Sequence, residues 1–226
     1  MLMYAHRGLS GQYPENTMLA FRQALTAGVD GIELDVHVTA DRVPVVIHDR
    51  DVGRTTNGLG VVDAIPLATL QTLDAGQGER VPTLAEVLDL VSNQAHLDIE
   101  IKGRAIEPLV LATLADYPAA RWAISSFDWD ILREIRRLSA TAELWPLAER
   151  VDDALFAVVA GLGSPAISLY HGAYTSESAA ALRDGGVRAV IWTVNDGAEA
   201  DRVRGLGAYA LCTDVPEQII VASDIA

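Results

Sequence analysis

The sequence predicts a (β/α)8 barrel, an α/β fold, on three observations. Short apolar runs alternate with amphipathic helical segments from one end of the chain to the other. Taken in order they make eight strand–helix units. Polar residues suited to chemistry fall at the C-terminal ends of those strands, where a barrel builds its site. A doubly wound open sheet is the alternative, but it seldom needs eight such regular units, and the chain has no GxGxxG loop.

The expected strands are Leu2–His6, Gly31–Val36, His96–Lys102, Trp122–Phe127, Glu143–Leu147, Ala166–Tyr170, Ala189–Val194 and Tyr209–Thr213. Between them lie expected helices over Glu15–Ala27, Leu84–Val91, Ile106–Asp116, Asp128–Leu138, Val151–Ala160, Ser176–Arg183 and Ala198–Gly205, with a last one over Glu217–Ala222. Several carry end signals: Pro14 before and Gly28 after the first, Thr83 followed by Glu86, and Gly185-Gly186 after Asp184. The second strand is expected to continue through a turn at Thr39–Arg42 into an antiparallel arm, Val43–His48. With the turn centred on Ala40-Asp41, opposed positions sum to 81 and Glu33 faces His48. The Thr-, Asn-, Gly- and Asp-rich stretch Arg50–Arg80 breaks the alternation. It reads as a small insertion near the active-site end, with a short helix around Leu67–Leu73.

The 226 residues are expected to form one barrel domain, half of it hydrophobic and a fifth charged. A net charge of −14 repels polyanions, so nucleic acid and anionic membrane surfaces are disfavoured as partners. The lone Cys212 leaves no intramolecular disulfide, no signal peptide is recognisable, and no apolar run approaches a membrane span. A cytoplasmic enzyme with a small-molecule substrate and no stable membrane insertion is the expectation. No heptad run or interface segment speaks to oligomeric state.

The chemistry centres on Gly31–Asp51. A period of two puts Glu33 and Asp35 on one strand face, where two carboxylates repel unless a cation lies between them. Glu100 and Lys102 share a face in the same way. Glu33, Asp35 and Glu100 therefore make an oxygen-ligand set for one divalent cation, Mg²⁺, Ca²⁺ or Mn²⁺. Arg7 and Lys102 supply positive charge for an anionic group. His6 and His48 approach from different segments as a proton acceptor and a proton donor, the pair that cleavage of a P–O ester requires. Trp192 offers an apolar wall for a glycerol or alcohol moiety. His37 and His96 read as structural, and His171 as a weaker candidate for the mouth of the site.

At these residues the sequence resembles the glycerophosphodiester phosphodiesterase family. The matching pieces include AHRG (Ala5–Gly8), PENT (Pro14–Thr17), GIELDVHVTADRVPVVIHD (Gly31–Asp49), RTTNGLG (Arg54–Gly60), LDIEIK (Leu97–Lys102), WTVND (Trp192–Asp196) and CTDVP (Cys212–Pro216). They occur in the family's order and cover the chain almost end to end. The resemblance implies a (β/α)8 barrel and metal-dependent hydrolysis of glycerophosphodiesters to glycerol 3-phosphate and an alcohol. By the same resemblance His6 and His48 match the acid/base pair, Glu33, Asp35 and Glu100 the metal ligands, and Arg7 and Lys102 the phosphate contacts. It also implies attack by the substrate's own glycerol hydroxyl through a cyclic phosphate. The run Gly207–Leu211 departs from the family's usual GVDGI, and the short segment after His48 transfers no head-group preference.

Two other functions fit parts of this pattern. A phospholipase-D-like enzyme acting on lysophospholipids would need an exposed apolar rim for acyl chains. A non-catalytic phosphodiester-binding barrel would have no use for both histidines and all three acids.

Overall fold

The computed structural model describes residues 1–219. Its frame is a ring of parallel strands: β1 (Leu2–His6), β2 (Gly31–Val38), β4 (His96–Ile101), β5 (Arg121–Ser126), β6 (Leu144–Ala148), β7 (Ala166–Tyr170), β8 (Arg188–Trp192) and β9 (Ala210–Thr213). Each pairs in parallel with its neighbours in the order β1-β9-β8-β7-β6-β5-β4-β2, and β1 pairs back to β2. The expected eight-stranded closed barrel is what forms. The ninth strand, β3 (Pro44–Val46), is antiparallel to β2 and stands outside the ring.

Helices fill the crossovers: α1 (Met18–Thr26), α3 (Leu84–Val91), α4 (Glu107–Ala115), α5 (Trp129–Leu138), α6 (Asp153–Leu162), α7 (Ser176–Asp184) and α8 (Gly197–Gly205). The first begins three residues later than expected, because Asn16 takes a left-handed backbone and Thr17 caps the helix by accepting from Ala20 N–H. Thr83 and Glu86 form the reciprocal capping box that their spacing predicts. The last expected helix starts at residues 216–219, and the remainder of Glu217–Ala222 lies outside the described residues.

Strand alternation sorts the apolar side chains into two cores. Outward residues such as Ile32, Leu34, Ile99, Ile124, Ile167 and Ile191 pack against Phe21, Leu88, Val110, Leu132 and Leu182 of the helices. Inward residues of the ring, Tyr4, Ala123, Trp145, Ala166, Val190, Ala210 and Cys212, fill the lower interior. There the His96 ring stacks on Trp145 at 5.3 Å between centroids, and Tyr4 meets both edge-on. Gly31 is required beside them, since a Cβ there would lie 2.3 Å from the Tyr4 ring.

The segment after β3 contains two 3-10 turns, Val52–Arg54 and Val62–Ala64, and the short helix α2 (Leu67–Leu70). It has its own small core of Val45, Ile47, Val52, Val62, Leu70, Ala75 and Val81. The hairpin register differs from expectation. Val36 pairs with Val46 and Val38 with Pro44, so opposed positions sum to 82. A slip of one residue flips every side chain, and His48 does not face Glu33 across the hairpin. The turn is one residue longer because Thr39 N–H donates to the Val43 carbonyl and Arg42 takes a left-handed backbone.

Candidate active site

Parallel register assembles the site. His6 is level with Glu33 and Glu33 with Asp98, while Asp35 is level with Glu100 and Glu100 with Ser125. Inward-pointing neighbours on adjacent parallel strands must converge. Glu33, Asp35 and Glu100 each bring a carboxylate oxygen within 4.8 Å of the others, and all three residues are buried. The cavity above them is lined by His6, Arg7, Glu33, His48, Glu100, Lys102 and Trp192, with Asp98, Ser125 and Phe127 among the rest.

The acids cannot all ionise at once. Burial, reinforced by Asp35, pushes the Glu33 carboxyl well above the usual range and lifts that of Glu100 to about 7. Burial likewise lifts Asp98 to about 7. Asp35 goes the other way: burial opposes ionisation, but Arg7 and Lys102 outweigh it and hold the carboxyl below its ordinary value. Arg7 Nε lies 3.3 Å and Lys102 Nζ 3.4 Å from Asp35, and the Asn16 amide donates to Oδ2 at 2.8 Å. Asp35 Oδ1 is nonetheless buried without a hydrogen bond. A carboxylate oxygen with no hydrogen bond and only the Lys102 ammonium at 3.4 Å, beside two carboxyls of raised pKa, fits a hard divalent cation, which would relieve both.

The HRG turn positions two of the expected residues. Gly8 is left-handed, and a Cβ there would press into Ala20 at 2.8 Å. Arg7 donates its backbone N–H to the Glu33 backbone carbonyl and carboxylate, and its Nη1 bonds Glu15 at 2.9 Å. His6 holds Asp214 through Nδ1 at 2.7 Å, with Nε2 3.9 Å from Glu33. Asp214 also accepts from Ser10 Oγ and from Asn195 Nδ2, and with His6 these hold its carboxyl at about 2 against the effect of burial.

His48 reaches the site by another route than the hairpin predicts. The strand ends at Val46, the chain bends, and the imidazole comes over Asp35 with Nε2 4.0 Å from Oδ1. Its backbone carbonyl accepts from His37 Nε2 at 3.1 Å, and its Nδ1 bonds Asp49 at 2.5 Å. Burial lowers the basicity of the imidazole. Lys102 Nζ lies 3.2 Å from His48 Nε2 and 2.7 Å from Glu100, placing the expected phosphate contact among the carboxylates. Trp192 lines the cavity and meets Phe127 edge-on at 5.5 Å.

Seven of the eight expected site residues thus line one cavity, and Asp35 lies buried behind it against Arg7, Lys102 and His48. His96 stays in the lower interior, and His171 bonds Glu199 at 2.8 Å away from the cavity lining. Sequence reasoning left without a role Asp49, Glu15, Arg54 and Asp98, and met Asp214 only within the CTDVP match. Asp98 had a readable signal, the inward alternation with Glu100. Asp49 adjoins His48 in sequence, and the others enter through pairings between distant segments.

Buried acids held against two cations, with imidazoles on either side, suit an anion whose ester bond is cut by proton transfer. The class is a phosphoric diester hydrolase on a (β/α)8 barrel. The particular family is equally plain: the model of the glycerophosphoryl diester phosphodiesterase family matches residues 6–218, and the chain belongs to it. A glycerophosphodiester phosphodiesterase of Caldanaerobacter subterraneus is 34% identical over 97% of this chain and 96% of its own. A phosphodiesterase of Oleispira antarctica, solved with its product sn-glycerol-3-phosphate, superposes with a TM-score of 0.94 at 27% identity, covering 99% of this chain and 97% of that one. A glycerophosphodiester phosphodiesterase of Agrobacterium tumefaciens gives 0.86 at 26%, covering 98% and 99%. Among the described residues, no helix is long and apolar enough to cross a membrane.

Proposed function

We propose that this enzyme hydrolyses small glycerophosphodiesters to sn-glycerol 3-phosphate and an alcohol, using one divalent cation and a histidine pair. The observation that carries the reading is the carboxylate triad of Glu33, Asp35 and Glu100 beneath two imidazoles that enter from separate segments. The triad would hold Mg²⁺, Ca²⁺ or Mn²⁺, which supplies charge neutralisation at phosphoryl oxygens and acidifies a nearby hydroxyl. Arg7 and Lys102 hold the phosphate, Arg7 with its orientation fixed by Glu15 and Asp35. His6 and His48 each commit Nδ1 to an aspartate, which leaves Nε2 of both toward the cavity. One takes the proton of the attacking hydroxyl, the substrate's own glycerol hydroxyl by family resemblance, and the other protonates the departing alkoxide; water then opens the resulting cyclic phosphate to glycerol 3-phosphate, with the two proton transfers reversed. The product held by the Oleispira antarctica protein supports this substrate class.

A second reading, phospholipase-D-like action on lysophospholipids, has one observation in its favour. Phe127 and Tyr170 are large exposed hydrophobics beside Trp192. A coupled assay for glycerol 3-phosphate release tests the first reading, and choline release from lysophosphatidylcholine, which leaves lysophosphatidic acid, tests the second. The panel holds choline, ethanolamine, glycerol and inositol diesters plus lysophosphatidylcholine, with EDTA and add-back of each cation. Release from the diesters that EDTA abolishes is expected; no release under any cation would overturn the proposal.

A further inference from the structure

We infer that Arg54 is a positioning residue for His48, tying the proton-transfer side of the site to its phosphate-holding side; the inference rests on the proposed role of His48. Arg54 belongs to the RTTNGLG run, at the end of the first 3-10 turn of the segment after β3. Its guanidinium bridges two carboxylates that come from different parts of the chain. Nη1 and Nη2 donate to the two oxygens of Glu15 at 2.9 and 2.8 Å, and Nε donates to Asp49 Oδ2. Glu15 Oε1 also takes Arg7 Nη1, and Asp49 Oδ1 takes His48 Nδ1. Hydrogen bonds therefore run without a gap along Arg7, Glu15, Arg54, Asp49 and His48.

The chain of contacts fixes what Arg54 can do. Arg54 is not among the residues lining the cavity, and three of its five N–H groups already go to carboxylates, so it acts through its neighbours and not on the phosphate. Asp49 has two firm partners, His48 and Arg54, and the Arg54 hydrogen bond is the main cause that holds its carboxyl far below the ordinary range. Without Arg54, Asp49 and Glu15 would face each other as like charges, and Asp49 would swing toward solvent. His48 would then lose the bond that orients its ring. A lysine cannot substitute, because one ammonium cannot donate along two edges of a plane at once. Arg50, four residues earlier, is the natural control. Among the described residues its side chain pairs with Asp63 alone, and both are well exposed.

The test compares steady-state kinetics of Arg54→Ala, Arg54→Lys, Asp49→Asn and Arg50→Ala on glycerophosphocholine. We expect Arg54→Ala to lose about 10–10²-fold in kcat with KM changed less than about threefold, since only proton transfer is misplaced. Arg54→Lys should recover little, and added guanidinium should partly restore Arg54→Ala but not His48→Ala. The double variant with Asp49→Asn should cost no more than the worse single one, because both break one chain. Arg50→Ala should match the wild type. The inference falls if Arg54→Ala keeps kcat within about threefold, if its loss lies in KM alone, or if the two losses multiply. Should Arg54→Ala melt below assay temperature, Arg54→Lys carries the same expectation with the charge retained. Normal turnover by His48→Ala would instead strike the reading beneath the inference, a separable result.

Discussion

The lower and upper halves of the barrel interior are built by the same strands and solved in opposite ways. Below, Glu143 accepts from Trp145 Nε1 at 2.9 Å and from Arg188 at 3.1 Å, and Arg188 lies 4.4 Å over the Tyr209 ring. Burial keeps the His96 imidazole neutral, at about 4, where it stacks on Trp145. Two residues further along β2 and β4, acid stands beside acid, and Asp35 Oδ1 is buried without a hydrogen bond. In the lower half Glu143, Trp145 and Arg188 are spent on one another, and His96 Nδ1 is the one polar atom of that layer buried without a partner among the described residues. The upper half holds its polar groups in reserve for a ligand, and repulsion is the cost.

If that contrast is right, substitutions below should strike stability and those above should strike turnover. The largest effect should come from Trp145→Ala, which opens a cavity in the fully buried lower layer. We expect a loss of about 3–5 kcal/mol in denaturant unfolding. Turnover per folded molecule should stay within a few-fold, and a collapse of kcat in the folded fraction would blur the division. Next, His48→Ala or His6→Ala should lose on the order of 10²-fold or more in kcat while the unfolding midpoint scarcely moves. Near-normal turnover in either variant would end the two-imidazole mechanism.

Acid should separate the halves further. The folded His96 imidazole titrates at about 4, below its unfolded value of 6.5, so between these the unfolded chain binds more protons. Stability is therefore fully present above pH 6.5 and is lost as pH falls toward 4. Relative to His96→Phe, the wild type should lose on the order of 1–2 kcal/mol across that window in a pH series of urea melts. Asp98 and Glu100 have the opposite sign: their folded values are near 7, so without a cation they weaken the fold as pH rises from about 4 to 7. The smallest effect follows. In EDTA at pH 8, Glu33→Gln should melt about 2–4 °C higher than the wild type, since one repelling carboxyl is gone. Added divalent cation should reverse the ranking, because only the intact triad gains stability by binding it. A variant that melts lower in both conditions would show that the upper acids are ordinary structural groups.

The barrel was legible because its signal is periodic. Runs such as Ala166–Tyr170 kept the bounds that alternation gave them, and the strand-end rule led to His6, Glu33, Asp35 and Glu100. The hairpin register was not legible, for a local and a distant reason. Thr39 Oγ1 donates to Asp41 and accepts from Val43 N–H, while Ala40 N–H donates to Ile65 and Leu67 N–H to Asp41. The second pair comes from the segment after β3, so the turn is set by tertiary contacts that spacing cannot express. The aspartates behind the imidazoles divide in the same way. Asp49 adjoins His48 in sequence, whereas Asp214 reaches His6 only when the ring closes β9 onto β1.

The small core of Val45, Ile47, Val52, Val62, Leu70, Ala75 and Val81 separates the segment that carries His48, Asp49 and Arg54 from the packing of the barrel wall. We expect a satellite cluster of this size to open as a unit of its own, at a free energy below that of global unfolding. Amide exchange in this segment should run through that local opening while the ring strands stay protected. On warming, the enzyme would then fall silent while its barrel is still closed. Thermal tolerance of activity would be set by seven aliphatic side chains outside the barrel, not by the scaffold that makes up most of its mass.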